Sequence, residues 1–151
     1  MFQGHAINTI DEKGRIIIPS KFRKHIPPDA NNLMHVILGR DNCLWLYPSY
    51  EWTKLLKKIE SLNPFLKDEI AMVRQMMYYA EGCPIDSQHR ILIPQALLQK
   101  VDIKKEVLFI GQLEKIELWN EENYQTYLKG NKDTYEEVME KVMSKLPGNN
   151  P

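Results

Sequence analysis

Apolar residues follow two different spacings along this chain, and each spacing predicts one kind of element. Two β-strands are predicted, at residues 6–10 (Ala-Ile-Asn-Thr-Ile) and at residues 15–18 (Arg-Ile-Ile-Ile), with a tight turn at residues 11–14 between them. Gly14 can supply the positive φ that such a turn often needs. The run Ile16-Ile17-Ile18 is apolar at every position, so we expect a strand that is buried on both faces.

Elsewhere, apolar residues recur every three or four positions, which is typical of helices with one buried face. Such stretches cover residues 50–61, 120–129 and 134–146. A further helix is predicted with Asn63 as its N-cap and Pro64 as its first residue. It ends before Gly82 and Pro84, where the second copy of the repeat begins.

The first strand-turn-strand segment occurs twice. Residues 10–19 return as residues 85–94, after 75 residues, in the shared frame I-D-x-x-x-R-I-x-I-P. The apolar runs that follow recur after 72 residues, with Val36 aligned to Leu108. Self-similarity of this kind indicates two copies of one small unit. Because a unit of about 60 residues can bury only a marginal core, we expect the copies to interlock as a pseudo-dimer.

The duplication divides the 151 residues into four predicted segments. Copy one spans residues 1–61, and a connecting helix covers residues 62–81. Copy two spans residues 82–130, and a C-terminal helix and tail occupy residues 131–151. The length fits one compact unit built from both copies better than two independent domains.

Composition and motifs argue against several classes of protein. No apolar run approaches the ~20 residues of a membrane span, and we expect no signal peptide at the N-terminus. No catalytic Ser/His/Asp or Cys/His arrangement, glycine-rich phosphate loop or metal-ligand spacing occurs in the sequence. We therefore predict that the protein is not an enzyme and has no catalytic residue, cofactor or metal site. Cys43 and Cys83 are expected to be reduced thiols, with a disulfide as the alternative.

Charge is unevenly distributed, although the net charge is zero. Residues 1–64 carry nine Lys and Arg against six Asp and Glu, a net of +3, and residues 65–151 carry eleven against fourteen, a net of −3. Such asymmetry between halves points to a nucleic-acid partner. The positive half contains what we call the copy-one basic cluster: Lys13, Arg15, Lys21, Arg23 and Lys24.

Copy two keeps the apolar frame but loses most of this charge. The matching positions are Gln88, Arg90, Ala96, Leu98 and Gln99. If the basic residues were needed for folding, copy two should need them as well. We therefore predict that copy one binds a polyanion, since Lys and Arg neutralise phosphates and Arg also binds guanine edges in the major groove. The alternative is a basic turn that is only solvated.

The spacing D-x-x-x-R places a carboxylate and a guanidinium at the two ends of each turn. Asp11 and Asp86 can accept backbone N–H groups two residues later, so we predict that they are structural residues, together with Gly14. Arg15 can either pair with the carboxylate or project outward as a fork of five donors.

The doubled D-x-x-x-R, its I-x-I-P frame and the opening Met1-Phe2-x-Gly4 resemble the MraZ family of the SpoVT/AbrB-like superfamily, over nearly the whole chain. The resemblance implies an α+β fold: an intramolecular duplicated swapped-hairpin (AbrB-like) β-barrel with peripheral helices. It also implies a sequence-specific transcriptional regulator, mainly a repressor, of the bacterial division and cell-wall gene cluster. Such proteins are expected to bind G-rich direct repeats of double-stranded DNA as ring-shaped homo-oligomers in the cytoplasm and nucleoid. No membrane or small-molecule partner is implied.

The resemblance assigns roles to individual residues. Arg15 is the leading DNA-contact residue. The basic residues expected beside it are Lys13, Lys21, Arg23 and Lys24. Arg90 matches the family's second motif and either contacts DNA or is structural, and the lower charge around it favours a partly structural role. A ring repeats one head-to-tail interface, so its motifs face in the same sense and favour direct repeats about one helical turn apart.

Three other functions remain as alternatives. An antitoxin-like or protein-binding module would use the C-terminal helix, residues 134–146, to hold a partner. An RNA-binding protein should carry stacking aromatic side chains beside its basic residues, and only Phe22 lies among them, at a position expected in the core. An enzyme is the least favoured alternative, because no sequence motif indicates a catalytic site.

Overall fold

The computed structural model describes residues 1–27 and 32–148. Both copies have the same order of elements: two strands, a short helix, two strands and a longer helix. Copy one consists of β1 (His5–Thr9), β2 (Arg15–Ile17), α1 (Ser20–Arg23), β3 (Leu33–Leu38), β4 (Leu44–Pro48) and α2 (Ser49–Glu60). Helix α3 (Lys67–Tyr79) connects the copies. Copy two consists of β5 (Glu81–Pro84), β6 (Arg90–Leu92), α4 (Gln95–Lys100), β7 (Glu106–Gln112), β8 (Lys115–Trp119) and α5 (Glu121–Lys129), and α6 (Tyr135–Met143) follows.

Six strands form one antiparallel sheet in the order β1-β7-β8-β4-β3-β5. The β3–β4 and β7–β8 hairpins lie in the middle and are joined where β4 pairs with β8. The outer strands are exchanged between copies, because β1 pairs with β7 of copy two and β5 pairs with β3 of copy one. Within the described residues the sheet is open, with β1 and β5 at its edges. The α+β class is thus confirmed, but the sheet does not close into the predicted barrel.

Strands β2 and β6 form a separate two-stranded antiparallel ribbon. Ile16 lies opposite Ile91 at its centre, and these two residues occupy equivalent positions of the repeat. Arg15 lies opposite Leu92, and Ile17 lies opposite Arg90. The ribbon therefore has the two-fold pseudo-symmetry expected when equivalent strands of two copies pair with each other.

The strand pairing corrects the repeat alignment in the third strand of each copy. The sequence alignment matches Val36 with Leu108, but the register makes Phe109 the equivalent of Val36, and Val107 the equivalent of Met34. The side chains of Met34, Val36, Val107 and Phe109 all lie in the main core cluster. The offset of 72 is therefore wrong here by one residue, a slip that would turn every side chain to the other face of the sheet. The β7–β8 turn is one residue shorter than the β3–β4 turn, which restores the offset of 72 in the fourth strand.

The main core is shared by both copies and lies between the six-stranded sheet and the ribbon. The ribbon contributes Ile16 and Ile91, and the short helices contribute Phe22 and Leu98. By contrast, the side chain of Ile17 is 48% exposed. The prediction that this strand is buried on both faces is therefore wrong, because the core covers only one face of the ribbon.

Helix α3 begins at Lys67, later than the sequence predicts. The side-chain oxygen of Asn63 accepts the N–H of Phe65 at 2.9 Å, and the Asn63 carbonyl accepts the N–H of Leu66 at 3.1 Å. These bonds close a separate turn, so Asn63 organises the approach to the helix and does not cap it. The N-cap of α3 is Leu66.

The chain divides into two compact units, residues 1–121 and 122–151. The first unit contains the sheet, the ribbon and both core clusters. In the second unit, Thr134 caps α6 by accepting the N–H of Glu137 at 3.2 Å, close to the predicted start of this helix. Among the described residues, no helix has the length and apolar character needed to cross a membrane.

Candidate nucleic-acid interface

The turn between β1 and β2 is organised by Asp11. Its Oδ1 accepts the backbone N–H groups of Lys13 at 2.9 Å and Arg15 at 2.8 Å, and its Oδ2 accepts the Nε–H of Arg15 at 2.8 Å. The N–H of Gly14 donates to the Asp11 carbonyl at 3.0 Å. Gly14 has φ of +84°, a conformation that glycine adopts at little cost. One carboxylate therefore holds both the turn and the direction of the Arg15 side chain.

Copy two repeats this arrangement around Asp86. Its Oδ1 accepts the N–H groups of Gln88 and Arg90, both at 2.9 Å, and its Oδ2 accepts the Nε–H of Arg90 at 2.7 Å. His89 stands where copy one has glycine and adopts φ of 63°, in the left-handed region that disfavours most side chains. The turn geometry is therefore kept in spite of a less suitable residue.

Both carboxylates are held in the charged form. The backbone hydrogen bond from Arg15 is the main cause that lowers the pKa of Asp11 below its ordinary value of 3.8, and the Arg15 side chain adds to it. Arg90 lowers the pKa of Asp86 in the same way, first through its backbone N–H. Both ion pairs are therefore intact at neutral pH.

The two arginines lie on one face of the ribbon. Alternate residues of a strand point to opposite faces, so Arg15 and Ile17 share a face with the residues opposite them, Leu92 and Arg90. The side chains of Arg15 and Arg90 are 31% and 22% exposed. Within the described residues each guanidinium is bonded only through Nε, so its terminal nitrogens are available to a ligand. We call this surface the ribbon face.

Comparison with known proteins adds to this geometry. A protein-family model described as "MraZ protein, putative antitoxin-like" matches the chain twice, over residues 1–75 and 76–144. The chain belongs to the MraZ family.

Three curated relatives carry the name "Transcriptional regulator MraZ". The protein of Halothermothrix orenii is 39% identical over 138 residues, covering 91% of this chain and 94% of its own. That of Clostridium tetani is 40% identical over 142 residues (94% and 96%), and that of Moorella thermoacetica 37% over 145 residues (95% and 97%). The family predicted from the doubled motif is confirmed.

The other basic residues predicted for this MraZ family chain lie in two places. Lys13 is exposed at the corner of the Asp11 turn. Lys21, in α1, donates from Nζ to the carbonyl of His5 at 2.6 Å and so lies against the start of β1. Arg23 is in the last turn of α1, and Lys24 is its C-cap. Within residues 1–27 and 32–148, no hydrogen bond or ion pair joins α1 to the Asp11 turn. The copy-one basic cluster therefore consists of a turn patch and a helix patch.

The sequence-based prediction missed Ile17 and Leu92 as members of the candidate site. It assigned the first to a buried strand, whereas both are on the exposed side of the ribbon, at 48% and 56% exposure. The sequence contained a signal for both. Ile17 lies two residues after Arg15, and Leu92 lies two residues after Arg90, so in a strand each must point to the same face as the arginine of its motif. Asn8 was missed as well. Its Nδ2 donates to the carbonyl of Ile17 at 2.5 Å and so attaches β1 to the edge of the ribbon.

Proposed function

We propose that this chain is a sequence-specific transcriptional regulator that binds double-stranded DNA through the ribbon face. The observation that carries the proposal is the pair of arginines, Arg15 and Arg90, each oriented by an aspartate on one exposed two-stranded ribbon. The name shared by the curated relatives, transcriptional regulator, supports the same function.

The ribbon suits the major groove of B-DNA in shape and in chemistry. That groove admits a two-stranded β-ribbon, and arginine is the side chain that most often binds guanine, through O6 and N7. Since Asp11 engages only Nε of Arg15, the two terminal nitrogens can donate such a pair of bonds. Asp86 likewise accepts a hydrogen bond from Nε of Arg90, so the two terminal nitrogens of Arg90 can donate in the same way. G-rich DNA is the ligand that this geometry favours.

Copy one supplies most of the phosphate contacts in this proposal. Lys13 lies at the corner of its turn, and Lys21, Arg23 and Lys24 follow on α1. Copy two has Gln88 at the position of Lys13 and no basic residue at the three helix positions. Arg15 is therefore the leading contact. Arg90 is a second contact with weaker electrostatic support, and its ion pair also stabilises its own turn.

The proposal extends to the assembly and the target. We infer an AbrB-like swapped-hairpin architecture, with copies at residues 1–61 and 82–130, a connecting helix at 62–81 and a tail from 131; the strands exchanged between copies support it. The chains form a ring that binds G-rich direct repeats and associates with the nucleoid. Linked subunits raise the effective concentration of each weak site, so several repeats are needed for binding. The target is the division and cell-wall gene cluster, which the protein mainly represses.

Fluorescence anisotropy tests this function. A labelled duplex with several G-rich direct repeats, spaced about 10 bp, is titrated across a range of salt concentrations beside a scrambled duplex of equal composition. The proteins are the wild type, Arg15→Ala, Arg90→Ala and the control Arg40→Ala. Arg40 lies in the β3–β4 turn with an 85% exposed side chain, so its removal changes net charge equally and leaves the ribbon intact.

We expect wild type to prefer the repeats and to lose affinity steeply with salt. Arg15→Ala should lose roughly tenfold to hundredfold of the preference for repeats, as expected for a bidentate contact with guanine. Arg90→Ala should lose less, and Arg40→Ala should match wild type. Sedimentation of the free proteins should show a ring for all of them. Equal binding of repeats and scrambled DNA by wild type, or a silent Arg15→Ala, would contradict the proposal.

A second candidate function is a protein-binding module, as the antitoxin-like description of the family indicates. Helix α6 favours it, because Val138, Val142 and Met143 are 40%, 51% and 46% exposed. Limited proteolysis and removal of residues 122–151 separate the two functions. A shortened chain that keeps the preference for repeats assigns DNA binding to the first unit. Rapid loss of the tail from the intact protein would favour the partner-binding function.

A further inference from the structure

Two large aliphatic side chains occupy the ribbon face between the arginines. Ile17 is 48% exposed and Leu92 is 56% exposed. The core beneath the ribbon is already filled, because Ile16 and Ile91 on the opposite face are 0% and 1% exposed. Ile17 and Leu92 are therefore not needed to seal the core, and an apolar group left in water contributes little to folding.

The position of these side chains is fixed by the two-fold arrangement of the ribbon. Leu92 lies directly opposite Arg15, and Ile17 lies directly opposite Arg90. Leu92 also extends over the Asp11 turn, where its Cδ1 is 3.4 Å from the point that a Cβ on Gly14 would occupy. Each arginine is thus accompanied by one aliphatic side chain, and the arrangement occurs twice on one surface.

We propose that Ile17 and Leu92 bind the C5-methyl groups of thymines in the major groove, next to guanines bound by the arginines. This inference rests on the proposed function. The thymine methyl is the only apolar group that base pairs present in the major groove, and apolar side chains contact it there. The two guanidinium groups beside the aliphatic pair keep terminal N–H donors that match guanine O6 and N7, and the exposed Lys13 adds positive charge at the Asp11 turn. We therefore infer that bases, and not another protein, cover the aliphatic pair.

The spacing of the side chains predicts where the thymines lie. Directly opposite residues of an antiparallel pair have Cβ atoms about 4.5–5.5 Å apart, and successive bases of one DNA strand are separated by about 3.4 Å along the helix axis. The aliphatic side chain therefore reaches a base one or two steps from the guanine bound by its arginine. A recognition sequence built by this face combines guanine with a nearby thymine.

Replacing thymine by uracil tests the inference, because the exchange removes only the C5-methyl group. Three labelled duplexes are compared by anisotropy. The first has G-rich direct repeats with thymines on both sides of each G run, the second has the same sequence with deoxyuridine in place of thymidine, and the third is a scrambled duplex with the composition of the first. The proteins are full-length wild type, Ile17→Ala, Leu92→Ala and the control Ile7→Ala. Ile7 is an isoleucine of similar exposure, 43%, on β1 and outside the ribbon.

We expect wild type and Ile7→Ala to bind the uracil duplex more weakly, by about fourfold for each thymine methyl group that an aliphatic side chain would otherwise cover. Ile17→Ala and Leu92→Ala should bind the thymine duplex more weakly than wild type does and should discriminate less against uracil. Thermal unfolding and sedimentation of each variant check that the fold and the assembly are unchanged.

Three outcomes would overturn the inference. One is a wild type that prefers repeats over scrambled DNA yet binds the thymine and uracil duplexes equally. Another is full discrimination in both aliphatic variants. The third is a change in oligomeric state on substitution of Ile17 or Leu92, which would assign these side chains to a contact between copies. A wild type that shows no preference for repeats over scrambled DNA would instead contradict the proposed function, and with it the inference that rests on that function.

Discussion

Ile16 pairs with Ile91 at the centre of the β2–β6 ribbon, and both side chains are buried in the core that the two copies share. This contact joins equivalent residues of the repeat, so neither copy can complete its core without the other. We predict that Ile16→Ala and Ile91→Ala each lower the free energy of unfolding by about 2–5 kcal/mol. Urea unfolding followed by circular dichroism measures the change.

Ile17→Ala is the matched control for this prediction, since it removes the same atoms from the exposed face of the same strand. It should cost about 1 kcal/mol or less. Because Ile16 and Ile91 are in contact, the double variant should deviate from the sum of the single changes. Independent copies would instead give an additive pair and two separate unfolding transitions.

The turns and the duplicated motif could be predicted from sequence because their physics is local. Asp11 binds N–H groups only two and four residues away, and a D-x-x-x-R spacing is enough to indicate this. The family followed from the same residues. Helix α4, Gln95–Lys100, follows Pro94 in the way that proline before a helix predicts.

Features that depend on distant parts of the chain could not be predicted in the same way. The exchange of β1 and β5 between copies is set by long-range pairing, which joins His5 to Ile110 and Leu33 to Pro84. The slip that matched Val36 to Leu108 arises because periodicity does not show where a loop is shortened. The exposure of Ile17 depends on which face of the ribbon the core covers, and a run of three isoleucines looks the same in either case.

The Asp11 and Asp86 ion pairs predict a loss of stability in acid. Their folded-state pKa values lie below the ordinary carboxyl value of 3.8 that the unfolded chain would show. Their contribution to stability is therefore fully present above pH 3.8 and is lost as the pH falls through the folded-state pKa.

Urea unfolding of wild type and of an Asp11→Asn, Asp86→Asn double variant, at several pH values, measures this contribution to the free energy of unfolding. Wild type should be the more stable at neutral pH, and the difference should shrink in acid. A difference that does not change with pH would contradict the assignment.

Both cysteines are predicted to be unreactive while the protein is folded. They are free thiols, buried at 0% and 1% exposure. Burial raises the pKa of Cys83 to about 12, and burial followed by the charge of Glu117 raises the pKa of Cys43 further. The thiolate is the reactive form, so a chromogenic disulfide reagent at mildly alkaline pH should label neither thiol in native protein and both in denaturant. Rapid labelling of native protein would show that a thiol is accessible.

Gly111 is predicted to be a position where any side chain disrupts the packing of the N-terminus on β7. A Cβ at this residue would lie against the backbone of Phe2 and Gln3, closer than real Cβ atoms approach other atoms. The N–H of Gly111 also donates to the carbonyl of Gly4 at 2.8 Å, so the chain before β1 cannot move away freely. We expect Gly111→Ala to lower the free energy of unfolding by about 1–3 kcal/mol, as overpacking does.

Gly82 on β5 provides the control for Gly111, because it is another strand glycine with a different neighbourhood. A Cβ there would meet the flexible Cδ1 of Leu33 at 3.4 Å and the ring of His35 at 3.9 Å, and neither contact is closer than ordinary van der Waals distance. Removing a glycine also reduces the conformational freedom of the unfolded chain, so Gly82→Ala should be neutral within about 0.5 kcal/mol. Urea unfolding of the two variants measures the difference. Equal stability would mean that the N-terminal segment yields at Gly111, and that the attachment of β1 to β7 begins later in the chain than this packing indicates.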